Sequence, residues 1–325
     1  MMYLMVGVGL TLLLIGGDVL VRGAVSLAEI LKIPPLVIGL TVVAFGTSAP
    51  ELVVSLNAVL GGVPKLAIGN VVGSNIANVL LVLGLPAIIF PIACEADGVR
   101  RDTMVMIGVS AAFILLCWTG EIALWQGVTM VAMLVGYLYW SYRDARKAGK
   151  NGDDITMDDL EEHPHDWRLA VVFTIGGFAG LIAGSELLVT GAVSIARGYG
   201  ISDAVIGLTL VALGTSLPEL ATATIAAMRR HGDVAIGNVV GSNLFNLLAI
   251  MGITATVKPV PVPEQFLHLD LWIMLGAAVA IVPFAMRKRP ITRFAGLVFV
   301  FAYLVYMLSL FNGHGGMAEH LKIAF

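Results

Sequence analysis

One stretch of this chain occurs twice, in register, 168 residues apart. Residues 37–52 read VIGLTVVAFGTSAPEL and residues 205–220 read VIGLTLVALGTSLPEL, agreeing at 13 of 16 positions. The following block keeps the offset without insertion: 68–84 (IGNVVGSNIANVLLVLG) and 236–252 (IGNVVGSNLFNLLAIMG) agree at 11 of 17. A duplication this long and this regular requires a fold made of two copies of one unit, because each half must satisfy the same sequence.

Composition says in which medium the halves fold. Hydrophobic residues make up 58% of the chain and charged residues 13%, about half the roughly 25% charged of ordinary soluble domains. A bilayer-spanning helix takes about 20 mostly apolar residues. Apolar runs at 3–30, 35–60, 66–90, 103–119, 122–142, 168–196, 203–228, 234–256, 268–286 and 291–311 supply about ten, five in each half. An odd number returns the chain from the opposite side, so the second copy is inverted. The expectation is an all-α membrane protein of ten transmembrane helices in two inverted-topology five-helix repeats. The repeats occupy 1–143 and 167–325, with an acidic linker at 144–166.

Charge placement orients it. If the linker is cytoplasmic, 14 of the 19 lysines and arginines fall in inside loops, Lys65, Arg197, Lys258 and Lys322 fall outside, and Arg22 lies in the first span. The positive-inside bias then puts both termini outside a cell's inner membrane. The N-terminal run lacks a basic n-region and a cleavage site, and reads as a retained helix. Neither Cys94 nor Cys117 suggests a disulfide or a thiolate metal site. The linker's GDDITMDDLEEHPHD lacks the spacing of a calcium loop and reads as a solvated acidic loop.

The chemistry lies in GTSAPE and its copy. Pro50 has no N–H to donate, and its ring clashes with the carbonyl four residues back, so a kink is expected near Gly46, repeated by Pro218 against Gly214. Open backbone at membrane depth is tolerated only in a protein-lined or wet cavity, and a bound cation is one way to satisfy freed carbonyl oxygens. Beside each break stands a carboxylate about midway along its span, Glu51 and Glu219, at a cost of roughly 2.5 to 3.5 kcal/mol on insertion scales. Thr47 and Ser48 lie one turn before Glu51 and Ala44 two turns before; Thr215, Ser216 and Ala212 repeat this around Glu219. The GNVVGSN copies add Ser74 with Asn78 and Ser242 with Asn246, four residues apart. All these donors are oxygen, as a hard cation such as calcium prefers, and the two carboxylates balance one divalent ion.

Other polar features read as structure. Gly69, Gly73, Gly237 and Gly241 fit close helix packing. Asp18 has Arg22 one turn later, the spacing of a local ion pair, and Glu186 is its counterpart. No histidine falls well inside a span, which weakens any imidazole proton relay.

Paired GTS-x-PE and GN-x-x-GSN-x-x-N motifs, covering both halves, resemble those of the cation/calcium exchanger superfamily, and within it the sodium/calcium exchanger branch. The resemblance implies alternating access. The broken second, third, seventh and eighth helices would form an ion-binding core, with the long first and sixth helices sliding past it. Carried over by position, it implies ligands at Glu51 and Glu219, at Thr47, Ser48, Thr215 and Ser216, at the carbonyls of Ala44 and Ala212, and at Ser74, Ser242, Asn78 and Asn246. Calcium and sodium would be the transported ions. No cofactor, nucleic acid or protein partner is implied, and a monomer would suffice. Potassium-dependent members carry aspartate where this chain has Asn246, so this chain resembles the potassium-independent ones.

Alternatives remain at this point. A proton/calcium antiporter on the same scaffold typically shows GN-x-x-E in place of GTS-x-PE. An intramembrane hydrolase would need a histidine beside Ser48 or Ser216, or an HExxH. A channel fits paired, proline-broken helices with buried carboxylates less well, and no Walker motif suggests a pump.

Overall fold

The computed structural model describes residues 2–148, 166–199 and 212–313. Almost all of them are helical, and two long helices dominate: α1 (Met2–Leu31) and, in the other half, a counterpart at Trp167–Gly198. Gly9, Gly16 and Gly23 recur every seven residues in α1, and Gly177, Gly184 and Gly191 do so in the counterpart, 168 residues on. Seven residues are close to two turns, so each trio lines one face. A β-carbon at Gly9 would stand 2.7 Å from the Gly184 carbonyl oxygen, and one at Gly16 3.1 Å from that of Gly177. One at Gly23 would stand 3.0 Å from the Ala170 carbonyl oxygen, and one at Gly191 2.9 Å from that of Met2. Rising numbers in one helix meet falling numbers in the other, so the pair is antiparallel, and contacts recur under the offset: Gly16 on Gly177 is returned by Gly184 on the Gly9 carbonyl at 2.9 Å, and Gly23 on Ala170 by Gly191 on Met2. Without an apolar drive between helices in lipid, such backbone-to-backbone van der Waals contact is what holds them.

The second apolar run is broken. Helix α2 (Pro35–Thr47) and helix α3 (Ala49–Leu60) meet at an angle of 43°. Ser48 sits between them with φ −82 and ψ 4, and Pro50 lies in the first turn of α3. The break therefore falls at Ser48, two residues beyond the expected kink at Gly46. Proline starts a new helix here, where its missing N–H costs that new helix nothing, and does not bend the interior of an old one. In order, α4 (Pro64–Ile89), α5 (Asp97–Cys117), strand β1 (Glu121–Ile122), α6 (Leu124–Ala148) and α7 (Trp167–Gly198, the long counterpart of α1) follow.

The second half repeats the pattern. Residues 203–211 of the expected seventh span lie outside the described residues. After them, α8 (Ala212–Thr215) and α9 (Leu217–Met228) flank Ser216, with φ −90 and ψ 4. Then come α10 (Gly232–Val257), strand β2 (Val260–Pro261), α11 (Phe266–Arg287) and α12 (Arg293–Gly313). Helix α10 is buried along its whole apolar window and forms the centre. A β-carbon at its Gly237 would reach 2.5 Å from the Leu36 carbonyl oxygen of α2 and one at Gly241 2.4 Å from that of Leu40, so these two glycines pack helices closely, whereas Gly73 has nothing within 4 Å and Gly69 only a Phe266 ring atom at 3.7 Å, against the expectation for all four. Both α4 and α10 relax into a π-turn, at Asn78–Leu83 and Asn246–Ile250; such turns recur at functional sites.

Short staples cross between the halves. β1 pairs antiparallel with β2, and Ile92 exchanges backbone hydrogen bonds of 3.1 and 2.8 Å with Ile291. Ile92 and Val260 are equivalent under the offset, and their partners Ile291 and Ile122 miss it by one residue, so the two staples are near-counterparts. Among the described residues, six helices are long and apolar enough to cross a membrane, and up to seven if α2 and α3 form one span. The ten expected from apolar runs exceed this count: α5 and α6 reach 21 and 25 residues but carry charges at one end, and the seventh run is only partly described. This is an all-helical, multi-pass integral membrane protein.

A candidate cation site between the helix breaks

Because α3 and α9 start just after the breaks, Glu51 and Glu219 fall in their first turns, where exposed N–H groups favour a negative charge. Each is only 1% exposed. Among the described residues no salt bridge reaches either, although the two carboxylates lie close enough to feel each other's charge. Two buried carboxyl groups without a basic partner stay ionised only if positive charge comes from elsewhere.

The halves reach into each other at this point. Ser48 Oγ, at the first break, donates to Glu219 Oε1 of the second half at 3.3 Å. Thr47 Oγ1 donates to Asn238 Oδ1 at 3.2 Å, and Asn78 Nδ2 donates to Asn243 Oδ1 at 3.1 Å. Thr47, Ser48, Ser74, Asn78, Ser216, Ser242 and Asn246 are all buried. Thr215 is half-buried. The Ala44 carbonyl oxygen already accepts the Ser48 N–H at 3.0 Å and the Thr47 hydroxyl at 3.4 Å, so it is not a freed carbonyl. Ala212 opens α8.

What remains unpaired identifies the chemistry. Glu51 Oε2, Glu219 Oε2, Asn78 Oδ1, Asn246 Oδ1, Ser216 Oγ and Ser242 Oγ are buried and have no hydrogen-bond partner. Buried polar atoms are normally satisfied, and leaving one unpaired costs about 1 to 3 kcal/mol. Four of the six can only accept, and all six belong to residues singled out from the sequence. Acceptors in excess of donors make a cradle for a hard cation. Among the described residues no histidine is shown hydrogen-bonded to Ser48 or Ser216: Ser48 donates to a carboxylate, His268 is exposed at 76%, and His231 precedes α10. Among the described residues no cluster of three or more histidine, cysteine, aspartate or glutamate side chains exists, so neutral oxygens must supply most of any shell.

Sequence reasoning missed the residues that hold this arrangement together. Asn70 Nδ2 donates to the Glu51 carbonyl at 3.2 Å and to Ser55 Oγ at 3.0 Å. Its counterpart Asn238 donates to the Glu219 carbonyl at 3.5 Å while accepting from Thr47. The available signal was an asparagine repeated at one place in two apolar helices, where an unpaired amide is costly. The ion pair read from Asp18 and Arg22 is present at 2.9 Å, and Arg229 at the end of α9 joins Asp18 as well.

Comparison with known proteins bears on the family and the fold. The sequence matches the family described as sodium/calcium exchanger protein over residues 1–143 and 169–312. It is 32% identical over 343 residues to the sodium/calcium exchanger MaX1 of Methanosarcina acetivorans, covering 95% of this chain and 98% of that one. It is 35% identical over 308 residues to the inner membrane protein YrbG of Escherichia coli K12, covering 94% and 95%. The fold superposes on the solved structure of the sodium-calcium exchanger NCX_Mj soaked with sodium and calcium, with TM-score 0.82 and 31% identity, covering 95% of this chain and 98% of that one.

Proposed function

This chain belongs to the sodium/calcium exchanger family, and on that premise we propose that it moves calcium and sodium in opposite directions across a cell's inner membrane by alternating access. The ions take turns at one midplane site formed by Glu51, Glu219, Thr47, Ser48, Thr215, Ser216, Ser74, Ser242, Asn78 and Asn246, with the Ala212 carbonyl, and with the Ala44 carbonyl once the Thr47 hydroxyl that now donates to it turns to the ion. The observation that carries this reading is the set of six buried, unpaired oxygens drawn from both halves. Coupling follows from charge: with the site empty, two anions would have to be sealed from water together, which is too costly, whereas a calcium-loaded or sodium-loaded site closes. That blocks leak.

The ten-span, inverted arrangement belongs to the same reading, with both termini outside and the 144–166 linker cytoplasmic. Its support is the antiparallel, mutually returned packing of α1 and α7 together with the positive-inside bias. The test is radiolabelled calcium flux in proteoliposomes with sodium, potassium and proton gradients imposed separately. A sodium gradient should drive uptake in the wild type, and Glu51→Gln and Glu219→Gln should each abolish it; persistence in both overturns the site. Uptake driven by a pH gradient without sodium would reassign the coupling to protons.

A further inference from the structure

Asn78 and Asn246 occupy equivalent places, and each leaves a buried Oδ1 without a hydrogen bond. Their surroundings differ. Asn78 Nδ2 donates to Asn243 Oδ1 at 3.1 Å, and Asn243 Nδ2 points at the thioether sulfur of Met106 in α5, 3.4 Å away. All three side chains are buried. Asn75, the counterpart of Asn243, instead donates to the Val71 carbonyl of its own helix at 2.7 Å.

A thioether accepts but cannot donate. Met106 therefore fixes which end of the Asn243 amide faces α5, and Asn243 has only its oxygen left to offer Asn78. Asn78 must answer with its NH2 group, which turns its own oxygen the other way. We propose that Met106 and Asn243 are positioning residues that lock the Asn78 amide with its oxygen toward the cation, so that the two repeats contribute unequally to cation affinity. An unlocked amide would present NH2 to the cation part of the time, and that end repels it. The inference rests on the exchanger reading for the identity of the cargo and deepens it by assigning what orients one ligand.

The experiment measures calcium affinity of the purified full-length protein, from the rise in unfolding temperature with added calcium chloride, alongside the KM of sodium-driven calcium uptake. Asn243→Leu should raise both constants roughly tenfold, the scale of one lost buried hydrogen bond, with maximal uptake little changed. Asn75→Leu should leave both within about twofold. Asn243→Thr, whose hydroxyl still accepts from Asn78, should recover most of the affinity. Should Asn243→Leu fail to fold, Met106→Leu carries the test, because it conserves volume and removes only the sulfur; a two- to threefold rise is expected by the same hydrogen-bond scale. Equal shifts for the Asn243 and Asn75 variants, or a Met106→Leu protein of wild-type affinity, overturn the proposal while leaving exchange intact. A wild type that binds calcium yet moves none under a sodium gradient overturns the exchanger reading instead and leaves the affinity comparison valid. A wild type with no calcium-dependent shift overturns both.

Discussion

The two helix breaks share a sequence and differ in what braces them. In the second half, Pro218 deprives the Gly214 carbonyl of its helical N–H, and Ser185 of α7 replaces it with a hydroxyl at 2.6 Å. The first half has Gly17 where Ser185 has its counterpart, and a β-carbon at Gly46 would enter the ring of Phe178 on α7. Ionic contacts divide the same way. Asp18 of α1 is clasped by Arg22 and by Arg229 of the second half, whereas the matching positions are Glu186, Thr190 and Gly61. Helix α1 also lays Gly17 against Ala221 and Ile225 of α9. A symmetric chain with symmetric contacts would open to both sides or to neither. One-sided access needs unequal bracing, and the inequality resides in residues outside the repeated motifs.

The largest expected effect treats the halves alike. Glu51→Gln and Glu219→Gln should each eliminate calcium-dependent thermal stabilisation of the purified protein; a carboxylate whose loss left it intact would show that the halves are unequal in charge as well as in bracing. Next comes the seam between α1 and α7. Gly16→Leu and Gly184→Leu should lower stability by similar amounts, at least the 1 to 3 kcal/mol of an overpacked core, because the clash is with backbone on both sides; thermal unfolding in detergent measures it, and a large difference between the two would break the returned-contact description. Ser185→Ala should cost about 1 kcal/mol, one hydrogen bond, and shift the ratio of forward to reverse exchange about fivefold, while Gly17→Ala gives no comparable shift. Smallest is Arg229→Gln, at about 0.5 kcal/mol for a partly exposed pair. Its effect on the same ratio should shrink at high salt, which distinguishes it from the hydroxyl brace.

Much of the site was legible because the repeat marked it twice. Glutamate, proline and small polar residues in apolar helices are expensive, and their duplication in register marks the positions that the candidate site is built from. The exact break was less so: whether Pro50 bends a helix or starts one depends on whether Ser48 leaves helical geometry, which spacing does not encode. Asn70, Asn238 and Asn243 were overlooked because their partners stand on other helices, 15 to 191 residues away in the bonds they make. The two-residue strands β1 and β2 are too short to leave an alternating pattern. The glycine trios of α1 and α7 escape a reading of the sequence because their role depends on the backbone that the opposing helix brings against them.

A seam whose glycine contacts recur under the offset needs no peptide link between its two sides. Two separate copies of one half, inserted in opposite senses, would present the same trios to one another and close the same interface. Fusion then adds proximity without adding a new fit, and it frees each copy to drift. Ser185 opposite Gly17 and Arg229 opposite Gly61 are the kind of divergence that a homodimer could not accumulate, since there each change would have been made twice.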